Sequence, residues 1–148
     1  MPKLKTFFPD INVWLALVSA RHVHNDAAVR WFQEIGEDQL AFCRVSQMGL
    51  LRLLTNVHVM GADVLRPSEA WRVYEEATRD ARIRLLPEPS GIEVIWKSLS
   101  QGSEPSAWTD AYLMSFAQAQ GLHVVTFDRG FQRFGDPRTV LLPAKQPD

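Results

Sequence analysis

Short apolar runs that stop abruptly and give way to helical periodicity recur along this chain, and that alternation narrows the folds open to it. Leu4 to Pro9 reads as a first strand. Ile11 to Ala20 follows with Val13, Trp14, Leu17 and Val18 at helical spacing. Arg21 to Asn25 interrupts, and Asp26 to Ile35 resumes the period through Ala27, Ala28, Trp31 and Phe32 before Gly36 ends it. Leu40 to Cys43 reads as a second strand, and Ser46 as the N-cap of a helix carrying Leu50, Leu51, Leu53 and Leu54. Pro67 opens a helix with Trp71 and Tyr74, Ile83 to Leu86 is a third strand closed by Pro87, and Ser90 to Leu99 is helical. A polar loop, Gln101 to Pro105, precedes a helix from Ala107 to Ala119. Leu122 to Thr126 is the clearest strand, Val140 to Leu142 a last short one, and Pro143 to Asp148 a frayed tail. Strands alternating with helices predict an α/β fold with a central, mainly parallel sheet flanked by helices. At 148 residues, without repeats or linkers, the chain reads as a single domain, 1–148.

Open parallel sheets bind ligands beyond the carboxyl ends of their strands. Asp10 and Asp128 follow the first and the clearest strand, and Asp110, in Trp108-Thr109-Asp110, opens a helix. Gathered there, the three carboxylates make a pocket for a hard divalent cation such as Mg²⁺ or Mn²⁺. Taken singly, each aspartate could equally be a cap or a turn residue. The lone Cys43 excludes an internal disulfide and reads as a buried strand residue. No charged segment precedes a long apolar one, and no apolar stretch nears the ~18 residues of a spanning helix, so a cytoplasmic protein without membrane contact is expected. A formal charge of −1 argues against broad electrostatic coating of nucleic acid, though not against a local basic patch.

The segments Asp10-Ile11-Asn12-Val13-Trp14-Leu15-Ala16-Leu17, His22-Val23-His24 with Trp31-Phe32, Ser46 to Asn56, Trp108 to Leu113 and Thr126-Phe127-Asp128-Arg129-Gly130-Phe131 occur in one order and spacing. Together they resemble the PIN-domain ribonucleases, and within them the VapC-type toxins of type II toxin–antitoxin pairs. The resemblance implies a metal-dependent endoribonuclease that hydrolyses RNA phosphodiester bonds. It also implies a homodimer and a VapB-like antitoxin that occludes the acidic groove. Asp10, Asp110 and Asp128 match three of the family's acidic positions. Asn12 matches a polar position that supports them, by bonding a carboxylate or the backbone, and reads equally as a helix-entry residue; Thr126 is a candidate partner for a neighbouring carboxylate or simply a β-branched strand residue.

One position departs from that pattern. The family's second acid, six residues after a serine of the Ser46 type, falls on Arg52. Arginine cannot ligate a metal; it is expected to pair with one of the aspartates or to contact RNA phosphate, the alternative being a side chain turned outward to solvent. Arg129, beside Asp128, is the other candidate phosphate contact. His22 and His24 mark a turn between helices that either helps bind RNA or lies exposed, since no cysteine or third histidine gives a zinc spacing. His58 and His123 read as structural or solvated, and Arg79 to Arg84 as a solvated basic stretch. The tryptophans are expected on apolar helix faces in the core, with Trp14 and Trp31 able to line a subunit groove instead. Two rivals remain. One is a PIN-like module, weakened by Arg52, that blocks RNA without cutting it. The other is an unrelated phosphohydrolase or receiver-type domain with Asp10 as nucleophile, which lacks the usual second acid because position 12 is Asn.

Overall fold

Five parallel strands in the order β3-β2-β1-β4-β5 form the centre of the fold, as seen in a computed structural model that describes residues 3–102 and 107–144. The strands are β1 Thr6–Pro9, β2 Gln39–Phe42, β3 Ile83–Leu85, β4 His123–Thr126 and β5 Val140–Leu141. Around them lie α1 Ile11–Val18, α2 Asn25–Glu34, α3 Arg44–Leu54, α4 Val57–Met60, α5 Pro67–Thr78, α6 Ile92–Leu99 and α7 Trp108–Gln120. Two 3₁₀ segments, Gly61–Asp63 and Arg129–Phe134, complete the described elements. Residues 103–105 of the expected polar loop and 145–148 of the expected frayed tail lie outside the described residues.

The two faces of the sheet carry different helices, and the period-2 alternation of β1 divides its phenylalanines between them. Phe7 points into a core with Trp14, Trp31, Phe42, Leu50, Leu54 and Tyr74, from α1, α2, β2, α3 and α5. Phe8 points into the opposite core with Phe116, Leu113, Val124, Ile92 and Phe131. Trp14 stacks on Phe42 at 3.7 Å between centroids, and Phe8 on Phe116 at 4.9 Å. Both strand orders radiate from β1: β2 and β3 lie to one side, β4 and β5 to the other. The chain therefore reverses its direction of travel across the sheet between β1 and β4, and a crevice opens at their carboxyl ends.

Several local expectations need correction. Ser46 is not the N-cap of α3. Cys43 holds that place, with Ser46 at N3, and the two close a reciprocal capping box in which Ser46 Oγ accepts from the Cys43 N–H. Cys43 is accordingly buried just past β2 rather than in it. α4 and both 3₁₀ segments were not expected, because runs of three to six residues carry too little periodicity to read. Trp71 and Trp108 are exposed, at 46% and 57%, whereas Trp14 and Trp31 are in the core. The stretch from Arg79 is less solvated than its charge suggests: Arg82 grips Asp80 through two guanidinium nitrogens and lies over the Phe32 ring.

Candidate functional site

Asp10 ends β1 and begins α1, and its carboxylate serves both. Oδ1 caps the helix by accepting from the Val13 N–H at 2.9 Å, while its own N–H donates to the Val125 carbonyl of β4. Oδ2 accepts the Thr126 hydroxyl at 2.6 Å across the sheet. Thr126 Oγ1 in turn accepts from the Asp128 N–H at 2.9 Å. Thr126 thus ties the ends of β1 and β4 together and fixes the spacing of two acids 118 positions apart, the carboxylate role considered for it. Asp128 starts the 3₁₀ turn, Oδ1 accepting from the Gly130 N–H at 2.7 Å. A Cβ at residue 130 would stand 3.0 Å from that oxygen, so glycine lets the turn close under the carboxylate. Asp110 lies in the first turn of α7. All three acids thus sit at helix or 3₁₀ starts, where amide N–H groups and the axial dipole favour negative charge.

The aspartates feel one another. Burial raises the Asp10 pKa from 3.8 to about 6, opposed by the Thr126 and Val13 hydrogen bonds and reinforced by the charges of Asp110 and Asp128. Asp110 is also raised, by burial first and by Asp128, against the lowering effect of Arg133. Repulsion among carboxylates that each offer hard oxygen atoms suits a divalent cation in charge and in donor type. As the side chains stand, no three His, Cys, Asp or Glu groups among the described residues share ligating distance of one point. Asp10 and Asp128 are turned to their caps, and Asp110 to an arginine.

That arginine is Arg133, not Arg52. Arg133 Nη2 lies 3.5 Å from Asp110 Oδ2, Nη1 donates to the Gly130 carbonyl, and the guanidinium stacks over Phe134 at 4.4 Å. Among the described residues Arg52 forms no ion pair with an aspartate; it is exposed on α3, lining a cavity of about 290 Å³ with Asp10, Ile11, Asn12, Thr109 and Asp110. Of the two roles expected for Arg52, only the ion pair is corrected: the 3₁₀ turn brings a braced arginine to Asp110, and α3 does not. The one cue to Arg133 in the sequence was its place between Phe131 and Phe134. Asn12 is exposed in the same cavity, and the bond to Asp10 comes from Thr126 instead. Arg129 is exposed next to Asp128.

A PIN-domain family profile matches residues 7–137, spanning both cores and all three acids. The chain belongs to the PIN-domain family. Ribonuclease VapC41 of Mycobacterium tuberculosis is 41% identical to this PIN domain over 140 residues, covering 90% of the chain and 96% of the relative. Ribonuclease VapC29 of the same organism is 28% identical over 138 residues, covering 93% and 97%. Among solved structures, M. tuberculosis VapC20, described as a toxin that cleaves the sarcin–ricin loop, superposes with a TM-score of 0.69 at 17% identity, covering 90% of this chain and 98% of that one. VapBC2 of Rickettsia felis, bound to a promoter DNA fragment, gives 0.67 at 13% identity, covering 92% and 96%. These structural likenesses establish that the PIN fold is shared; the sequence kinship with the VapC ribonucleases rests on the relatives. No helix of the described residues is long and apolar enough to cross a membrane.

Proposed function

We propose that this PIN domain is an endoribonuclease of the VapC type, the toxin of a VapBC-like pair, and that Asp10, Asp110 and Asp128 hold its Mg²⁺ or Mn²⁺. The observation that carries the reading is the gathering of three carboxylates at one crevice, with Asp10 raised to about 6 by its burial first and then by the charges of Asp110 and Asp128. A cation held there by Asp10, Asp110 and Asp128 would supply positive charge for phosphoryl oxygens and would lower the pKa of an attacking water. The protein's own groups set the scene. Val13 N–H and the Thr126 hydroxyl orient Asp10, so an oxygen lone pair on each side of that carboxylate remains directed by fixed partners. Arg52, in the wall of the crevice, and Arg129, next to Asp128, supply positive charge for the RNA backbone, and Asn12 an amide that both donates and accepts.

A small antitoxin, a homodimer and a cytoplasmic setting belong to the same proposal. An antitoxin that presents a cation to Asp10 and Asp128 would compete directly with the metal. The alternative of a module that binds without cutting rests on Arg52, and Arg52 lies in the cavity wall while Asp110 takes its ion pair from Arg133. Induced expression of the parent in bacteria should arrest growth and fragment RNA, and Asp10→Ala should do neither. Equal arrest by both would contradict the proposal.

A further inference from the structure

A second cavity, of about 340 Å³, shares only Asp10 and Asn12 with the first, and its other walls are aromatic rather than cationic. His22, His24 and Phe127 line it, with Asp128 at its edge. The His24 ring lies against Phe127 at 4.6 Å and 27°, and His22 stands 5.6 Å from His24. Val23, 59% exposed, extends the apolar rim.

This surface is built rather than incidental. Asn25 Nδ2 donates to the Ala16 carbonyl at 2.7 Å, fastening the start of α2 to the end of α1. The His24 N–H donates to His22 Nδ1 at 3.0 Å, so that nitrogen carries no proton and the ring is neutral. Burial, and then the neighbouring His24, lower the His22 pKa in agreement with that state. Phe127 is fixed from below by the core around Trp14 and from its ends by Thr126 and Asp128.

Two carboxylates, Asp10 and Asp128, beside three flat rings disfavour an anionic ligand in this cavity and favour a neutral aromatic one. Unstacked bases of single-stranded RNA are such groups, and proteins receive them on Phe and His rings. Asn12 offers a donor and an acceptor to a base edge from the shared wall. We infer that the His22–His24–Phe127 cavity seats one nucleobase of single-stranded RNA adjacent to the phosphate at the aspartates. The inference rests on the ribonuclease reading and adds to it a stacking subsite on one side of the cut.

The test is fluorescence polarisation with labelled six-nucleotide RNAs, one homopolymer of each base. Each is compared with versions made abasic at single positions, in Ca²⁺ buffer, and strand integrity is checked after titration. For the parent, removing the base at one position should weaken binding about 5-fold or more, the scale of a base–aromatic contact. Phe127→Leu, which keeps apolar bulk, and His24→Ala should weaken intact RNA by a similar factor and lose sensitivity at that position. Phe127→Tyr should restore both. Thermal melts establish that each variant is folded, and either folded variant suffices. If both variants keep the parent's affinity and its sensitivity at that position, the subsite is wrong while the ribonuclease reading stands. If the parent binds none of the RNAs, both fall.

Discussion

Asp10 holds an unusual combination for a carboxylate: two hydrogen bonds, almost no solvent, and two acidic neighbours. Burial outweighs the bonds, and its consequence for stability has a definite sign. In the folded protein the group titrates near 6, against 3.8 when unfolded. Between those values the native state holds a proton that the unfolded chain releases, so metal-free stability falls as pH rises from about 4 to 6 and the penalty is complete above. A displacement from 3.8 to about 6 corresponds to roughly 3 kcal/mol. Asp10→Asn removes it but forfeits one accepted hydrogen bond, worth about 1 kcal/mol. Metal-free Asp10→Asn should therefore be more stable than the parent by about 2 kcal/mol at pH 7.5, and the gain should vanish at pH 4, as read by urea unfolding. Thr126→Val acts the other way. It strips Asp10 of a donor and the Asp128 N–H of an acceptor, and should cost about 1–3 kcal/mol while moving the acid limb of cleavage to higher pH.

At the scale of elements, the crevice depends on close contact between α1 and α3 and on the 3₁₀ turn after β4. Gly49 on α3 faces Ile11, and a Cβ there would meet the Ile11 Cδ1 at a separation no relaxed side chain adopts. Gly49→Ala should force the Ile11 side chain to another rotamer and destabilise by about 1 kcal/mol in urea unfolding, the lower end of an overpacking cost because Ile11 is only half-buried. Arg133→Ala should act on the cation. Freed of its arginine, Asp110 should bind Mn²⁺ about 2- to 5-fold more tightly by calorimetry, the scale of a half-exposed ion pair. The strand-to-helix alternation, the parallel sheet and the position of each aspartate at an element boundary were legible in the sequence, because periodicity and capping residues are local signals. Arg133 was not legible as a partner of Asp110. Their contact spans 23 positions and exists only because a six-residue 3₁₀ turn points the arginine back toward α7. Arg52 misled for the complementary reason: alignment to a family position fixes where a backbone lies, not which counter-charge reaches the acids. Cys43 in place of Ser46 as N-cap shows the same limit one residue at a time, since either end of a reciprocal capping pair reads as its start.

For the whole molecule, two apolar cores hold a five-stranded sheet whose central strands end in a crevice that gathers three aspartates, of which only Asp110 is ion-paired among the described residues. Packing makes the scaffold, and the unbalanced acids are stability given up for function. Divalent cations should return that stability: Mn²⁺ at saturating concentration should raise the melting temperature of the parent and leave Asp10→Asn nearly unmoved. The most direct test of the central claim is cleavage of a structured RNA by purified protein in Mn²⁺, in EDTA and with Asp110→Asn. The account predicts cleavage by the parent in Mn²⁺ alone, none in EDTA, and none above background by the folded variant. Cleavage that persists in EDTA, or that Asp110→Asn supports at the parent's rate, would contradict it.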